Sequence, residues 1–243
     1  MTGSMTVASQ VTPPAGCPDD GFTVVADFDK DGKLEVLVRS REGANTIHLY
    51  LWTPHTAVPA LLASTVETNS YFGIPFVGDI DGDGLPEIVT LSANGVVQSQ
   101  PGFRACRYNQ GSGVFDDLWD INHTNQSGGT AMTLFDFNQD GRSEIVYRDE
   151  TLLRVLDGID PHIVRASFPA YSETVYEYPI VADVFGDGHA RILVTSDDKT
   201  RRPFDQSASL KIFSANTATG INWSPARKVW NQYMYNAVNV NEI

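Results

Sequence analysis

The chain has 243 residues, of which 30 are acidic and 17 are basic, so its formal net charge is -13. This acidity argues against a nucleic-acid or anionic-membrane partner, because phosphate groups would repel the surface. The longest apolar run, at positions 57–66, is too short to cross a bilayer, so membrane insertion is not expected.

Short apolar stretches bounded by Gly, Asp, Asn and Pro recur along the chain, and they predict an all-β protein built from four similar units. The strands predicted in the first unit are Thr23–Ala26, Leu34–Arg39, Thr46–Trp52 and Ala60–Val66. Those of the second are Ile74–Gly78, Glu87–Leu91, Val96–Tyr108 and Val114–Ile121. Those of the third are Ala131–Phe135, Glu144–Arg148, Leu152–Leu156 and Ile163–Phe168. Those of the fourth are Pro179–Ala182, Arg191–Thr195 and Leu210–Phe213, with a polar insert at Ser196–Ser209.

An Asp-rich loop follows the first strand of every unit, and successive loops start roughly 50 residues apart. Four short strands at this period are typical of β-propeller blades, so we predict a propeller of four-stranded antiparallel blades. We expect residues 22–213 to hold the repeats, residues 1–21 to be an N-terminal tag or closing segment, and residues 214–243 to be a C-terminal closing segment of the same single domain. Together the two ends have the length of a fifth blade, so they could form a fifth blade or close the ring. The alternative is that this chain is part of a longer array of blades.

Three of the loops have the side chains that a calcium ion requires. Oxygen-bearing side chains stand at positions 1, 3 and 5, Gly stands at position 6 and Glu at position 9, and a backbone carbonyl at position 7 would add a ligand. The predicted ligands are Asp27, Asp29, Asp31, Lys33 and Glu35 in the first loop, Asp79, Asp81, Asp83, Leu85 and Glu87 in the second, and Asp136, Asn138, Asp140, Arg142 and Glu144 in the third. The alternative is that the loops are polar hairpin turns without an ion.

The fourth loop departs from this pattern. Asp183 and Asp187 remain as predicted ligands, but Phe185 stands at position 3 and Arg191 at position 9. We therefore expect about three Ca²⁺ sites and a degenerate fourth, in which Arg191 is an alternative, tethered cation.

The beginning of the loop is shared with the EF-hand, which needs Glu at position 12 and flanking helices. Position 12 is occupied by Val38, Thr90, Tyr147 and Val194. Strand-forming residues follow each loop, so the sequence excludes an EF-hand.

The loops and their spacing resemble the FG-GAP repeat, also called the VCBS or integrin α-subunit-like repeat, from about Phe22 to Phe213. The resemblance implies calcium-bearing propeller blades of the kind found in large bacterial surface proteins. It further implies a non-catalytic binding or adhesion module that is secreted or displayed at a cell surface, with a protein or glycan partner. We expect the module to be part of a larger chain, although no signal peptide is visible.

The C-terminal residues Trp223, Trp230, Tyr233 and Tyr235 are a candidate carbohydrate platform, and the alternative is that they cover the last blade. A lectin and a propeller-type polysaccharide lyase are therefore the alternative functions.

The motifs of common hydrolases and nucleotide-binding enzymes are missing from the sequence, and we predict that the chain is not an enzyme. The candidate acid/base group is Asp116, Asp117 and Asp120 beside His123, and a solvated acidic strand is the alternative. Cys17 and Cys106 are either a disulfide pair or separate thiols.

Overall fold

The protein is described by a computed structural model over residues 21–42, 46–56, 60–68, 74–92, 102–122, 132–172, 177–197, 208–216, 218 and 222–228. These residues form four antiparallel sheets that succeed one another along the chain. Over the same ranges, no helix has the length and apolar character needed to cross a membrane.

Each sheet is a meander in which neighbouring strands follow one another in sequence. The first comprises β1 (Gly21–Ala26), β2 (Glu35–Glu42), β3 (Thr46–Thr53) and β4 (Ala60–Thr68). The second comprises β5 (Phe76–Gly78), β6 (Glu87–Ser92), β7 (Gly102–Asn109) and β8 (Val114–Asn122). The third comprises β9 (Met132–Phe135), β10 (Glu144–Arg148), β11 (Leu152–Leu156) and β12 (Val164–Pro169). The fourth comprises β13 (Ile180–Ala182), β14 (Arg191–Asp197) and β15 (Ala208–Phe213).

The four sheets are the blades of a β-propeller, which confirms the predicted fold class. The first strands of consecutive blades contact one another, β1 with β5, β5 with β9 and β9 with β13. Among the described residues the fourth blade has three strands rather than four. The predicted fifth blade or closure from both chain ends falls mainly outside the described residues.

The predicted polar insert of the fourth blade is shorter than expected. Ser196 pairs with Ser209, and Asp197 pairs with Ala208, so β14 ends two residues later and β15 begins two residues earlier than predicted. Alternating polar residues at the end of a hairpin still pair through the backbone, which composition alone does not reveal. The predicted start of β7 at Val96 lies outside the described residues, within which β7 begins at Gly102.

Apolar side chains between neighbouring blades hold the propeller together. One core joins the first two blades and includes Leu37 and Leu51 of one blade and Ile88 of the next. A second core joins the second and third blades, where the rings of Phe103 and Tyr147 meet edge to face with centroids 4.5 Å apart. A third core joins the third and fourth blades. Burial of these faces is the main stabilising contribution that the blades make to one another.

The four Asp-rich loops close at equivalent points of the blades. The strand pairs that flank them are Ala26 with Glu35, Gly78 with Glu87, Phe135 with Glu144, and Ala182 with Arg191. Because each loop joins the first strand of its blade to the second, equivalent blades place the loops at the same end of the propeller.

Candidate metal centres

Each loop is folded around the carboxylate of its first aspartate. One oxygen of that carboxylate accepts a hydrogen bond from the backbone N–H of the glycine at position 6. The donor–acceptor pairs are Gly32 with Asp27 at 2.9 Å, Gly84 with Asp79 at 2.7 Å, Gly141 with Asp136 at 2.9 Å, and Gly188 with Asp183 at 3.0 Å. These glycines have φ between 78° and 85°, a left-handed conformation that other residues resist. The local sequence therefore sets the turn.

The glutamate at position 9 of the first three loops folds back over the turn. Its Oε2 accepts a hydrogen bond from the backbone N–H of the residue at position 2. The pairs are Glu35 with Phe28 at 2.9 Å, Glu87 with Ile80 at 2.8 Å, and Glu144 with Phe137 at 2.9 Å. All three glutamates are buried. Each of the first three loops thus has one buried glutamate, and its aspartates are more exposed.

Two loops bring three carboxylates close enough to share one cation. The two triads are Asp27, Asp29 and Glu35, and Asp79, Asp81 and Glu87. In each triad, one carboxylate oxygen per residue lies within 4.8 Å of the other two. Calcium binds oxygen ligands at about 2.3–2.6 Å, so a single ion can bridge oxygens at these separations. The donor sets of the first and second loops therefore fit Ca²⁺.

Glu87 is the acid for which a cation would matter most. Its side chain is 0% exposed, and its Oε1 has no hydrogen-bond partner among the described residues. Burial and, to a lesser extent, the charges of Asp81, Asp83 and Asp79 raise the pKa of Glu87 to about 8. A buried acceptor without a partner costs about 1–3 kcal/mol, and more when it is charged. A cation among these acids would remove both the repulsion and the unmet hydrogen-bonding capacity.

The third loop has the same turn but a different balance of charge. Asn138 Nδ2 donates hydrogen bonds to Glu144 Oε1 and to Asp140 Oδ2, both at 3.1 Å. Burial raises the pKa of Glu144 to about 6, less than that of Glu87. Within the described ranges, the acids of the third loop do not gather as those of the first two do. The amide of Asn138 thus donates to Glu144 Oε1, whereas the equivalent oxygen of Glu87 has no hydrogen-bond partner among the described residues. Calcium binding by the third loop stays a prediction.

The aspartate at position 5 holds the far side of each turn. Its Oδ1 accepts the backbone N–H of the residue at position 7. The pairs are Asp31 with Lys33 at 2.8 Å, Asp83 with Leu85 at 2.7 Å, and Asp140 with Arg142 at 2.9 Å. These contacts involve the N–H of the position-7 residue, and its predicted role as a carbonyl ligand stays a prediction.

Basic residues from elsewhere in the chain contact the second loop, and the sequence analysis missed them. Arg107 Nη1 lies 2.9 Å from Asp83 Oδ2 and 3.3 Å from Asp81 Oδ2. Lys30 of the first loop donates a hydrogen bond to the backbone carbonyl of Asp83. Arg107 follows the strand partner of Ile88, so a correct strand register would have placed it beside the loop. No local motif signals the contact, because 24 residues separate Arg107 from Asp83.

The fourth loop keeps the turn but lacks a side-chain oxygen at positions 3 and 9. Asp183 is buried, and its Oδ1 accepts the backbone N–H of Gly186 at 2.7 Å and that of Asp187 at 3.1 Å. Arg191 stands where the other loops have glutamate, and its Nη2 donates to Asp187 Oδ2 at 2.6 Å. Of the two predicted ligands, Asp187 thus pairs with a guanidinium, whereas Asp183 accepts backbone hydrogen bonds of the loop.

The C-terminal strap, residues 222–228, crosses from the third blade to the fourth. Trp223 is half-buried, and its ring packs against Phe137 with centroids 4.8 Å apart. Ser224 donates its backbone N–H to the carbonyl of Phe137 at 2.9 Å. The other members of the predicted carbohydrate platform, Trp230, Tyr233 and Tyr235, lie outside the described residues.

The candidate acid/base group is occupied by ordinary strand contacts. Asp117 Oδ1 accepts a hydrogen bond from Arg104 Nε at 2.9 Å, and Asp116 Oδ2 accepts one from Asn109 at 2.7 Å. Asp120 is exposed, and His123 lies outside the described residues. Cys106 is buried, and Cys17 also lies outside the described residues.

Comparison with known proteins locates a repeat family in the first part of the chain. The family described as the FG-GAP-like repeat matches residues 27–90, which begin with the first acidic loop and include all of the second. None of the curated proteins matches the chain. Among solved structures, the biofilm matrix protein Bap1 of V. cholerae aligns with 88% of this chain at 19% sequence identity and a TM-score of 0.47. The alignment covers 33% of Bap1, so this chain spans about a third of that protein's length.

Proposed function

Because residues 27–90 form an FG-GAP-like repeat, we propose that this chain is a non-catalytic binding or adhesion module whose blades are stabilised by structural Ca²⁺. The observation that carries the calcium role is Glu87, a fully buried acid with an unpartnered oxygen beside Asp79 and Asp81. The ions would occupy the first and second loops, and the third by analogy of its sequence.

A structural role suits the way the loops use their acids. Both oxygens of Asp79 accept backbone N–H groups of the loop, from Gly82 at 2.6 Å and from Gly84 at 2.7 Å. Carboxylates held in this way shape the turn, and they are poorly placed to exchange protons with a substrate. A bound ion would neutralise the remaining charge and link the end of β5 to the start of β6. This use of the acids supports a non-catalytic module.

An extracellular location suits the expected calcium affinity. Extracellular calcium is millimolar, and extracellular modules bind it with dissociation constants of about 10⁻⁴–10⁻³ M. Such sites would be filled outside the cell and largely empty in the cytosol. We therefore place the module in the secreted or cell-surface class, with an unidentified protein or glycan partner.

Metal content and thermal unfolding test the calcium role. In equilibrium dialysis against millimolar calcium the protein should bind Ca²⁺, and a chelator should lower its melting temperature. An ion present at about 100 times its dissociation constant contributes roughly 2.7 kcal/mol per site. Magnesium is the matched control, because it demands a smaller and more regular ligand shell. A melting curve that is the same in calcium and in chelator would contradict the role.

Binding assays test the remainder of the function. A glycan array separates a carbohydrate partner from a protein partner. Incubation with uronic-acid polymers, followed by detection of new chain ends, tests for lyase activity. Turnover there would refute the non-catalytic assignment, whatever the calcium result.

A further inference from the structure

We propose that the fourth loop takes no calcium, because the guanidinium of Arg191 is its resident cation. The inference deepens the proposed function and rests on it, since it states which of the four acidic loops is independent of the ion.

Arg191 places a base at position 9 of the loop, where the other three loops have a glutamate. Its side chain is 11% exposed, and its Nη2 lies 2.6 Å from Asp187 Oδ2. Nη1 donates hydrogen bonds to the carbonyls of His189 at 2.9 Å and Ala190 at 3.0 Å. In the other loops the equivalent residue is a glutamate that pairs at the same strand position. A calcium ion would therefore meet a positive charge that already holds the loop acid and two backbone carbonyls.

Phe185 removes a second ligand and adds support for the guanidinium. It stands at position 3, where the other loops have Asp29, Asp81 and Asn138. Its ring centroid lies 5.1 Å from Arg191 Cζ, a distance at which a guanidinium is attracted to an aromatic ring. Phe185 is 62% exposed, and it belongs to none of the three core clusters among the described residues. The two departures from the calcium pattern thus contact each other and act together.

The C-terminal strap holds both ends of the same loop. Asp183 donates its backbone N–H to the carbonyl of Arg227 at 2.8 Å, and Ala190 donates its own to the carbonyl of Ser224 at 3.0 Å. These bonds fix the first residue of the loop and the residue before Arg191. Backbone hydrogen bonds to the C-terminal strap therefore hold the ends of this loop together, whereas a bound ion would do so in the first and second loops. Chelation should therefore weaken the first two blades and leave the fourth loop intact.

Converting the loop to the calcium pattern tests the inference. The double variant Phe185→Asp/Arg191→Glu reads DVDGDGHAE from position 183, which matches the DIDGDGLPE of the second loop. We expect it to bind one more Ca²⁺ per chain than the wild type, measured by equilibrium dialysis on protein whose circular dichroism shows a folded state. A wild type that already binds four ions, or a folded double variant that gains none, would overturn the inference. A wild type without any ion, beside a double variant with one, would refute the proposed function and leave this inference standing.

A single variant provides a test that does not depend on whether the double variant folds. Arg191→Gln should lower the melting temperature in chelator by about 2–6 °C, because Asp187 and the two carbonyls lose their partner. Arg165→Gln is the matched control, since Arg165 pairs with Asp157 but is 53% exposed at its side chain. Equal effects of the two variants would show that Arg191 is an ordinary surface partner and would overturn the inference.

Discussion

Replacing Glu87 with glutamine should make the calcium-free protein more stable and the calcium-bound protein less stable. Glutamine keeps an oxygen that can accept the N–H of Ile80, which bonds Glu87 Oε2 at 2.8 Å, but it carries no charge. In the wild type without calcium, burial and three neighbouring aspartates hold the pKa of Glu87 at about 8, against a usual value of 4.5. The variant removes the free-energy cost of protonating or charging this buried group on folding, and it also removes the charge of a proposed calcium ligand.

The sign and size of the effect follow from proton linkage. Between pH 4.5 and 8 the unfolded chain has lost a proton that folded Glu87 retains, so the stability of the calcium-free wild type falls as pH rises. The loss amounts to about 3 kcal/mol by neutral pH, which corresponds to roughly 6–12 °C in melting temperature for a chain of this size. Glu87→Gln should abolish this fall.

Thermal melts in chelator and in millimolar calcium, recorded at a mildly acidic and a mildly alkaline pH, measure both effects. Glu144→Gln is the matched control, because the amide of Asn138 already covers Glu144 Oε1 and the pKa of Glu144 is raised only to about 6. Its effect should be smaller, and the pH dependence that it removes should lie between about pH 4.5 and 6. If Glu87→Gln is less stable than the wild type in chelator at every pH, the reasoning about its buried charge is wrong.

Three further variants test contacts around the loops. Arg107→Gln removes the basic partner of Asp83, so it should lower the melting temperature in chelator by the equivalent of about 0.5–1 kcal/mol. It should also enlarge the increase in melting temperature that calcium causes, and an unchanged increase in thermal melts would count against this reasoning. Gly158→Ala should cost about 1–3 kcal/mol in denaturant unfolding, because the new Cβ would lie 2.4 Å from the carbonyl oxygen of Ser143, whereas Gly111→Ala, with its nearest neighbour at 3.4 Å, should be nearly neutral. Trp223→Ala should cost about 2 kcal/mol through lost packing on Phe137, and a loss of glycan binding at unchanged stability would instead favour the carbohydrate platform.

The strands and turns could be predicted because their determinants are local. The carboxylate of Asp27 reaches the N–H of Gly32 five residues away, and Gly32 supplies the left-handed φ that the turn needs. The same nine-residue pattern therefore identified the loops, and the apolar runs on either side identified the strands. The degenerate character of the fourth loop was visible for the same reason, since Phe185 and Arg191 lie within it.

The electrostatic differences between the loops could not be predicted in this way. Glu87 and Glu144 occupy the same position of the pattern, yet only Glu87 has an oxygen without a partner within the described structure. Desolvation depends on how the blades pack around each acid, and that packing involves residues far apart in sequence. Arg107 and Lys30, which contact the second loop, lie 24 and 53 residues from Asp83.

By itself, the sequence determined that this chain folds as repeated blades with an acidic turn at the head of each, because hydrogen bonds within nine residues and alternating apolar positions specify both. Only the tertiary structure decided which acids are buried, which have a basic neighbour, and where Trp223 lies. Ser224, for example, donates its backbone N–H to the carbonyl of Phe137, which lies far earlier in the sequence. Charge and burial at a site are properties of everything packed around it, and a local pattern contains only part of that environment.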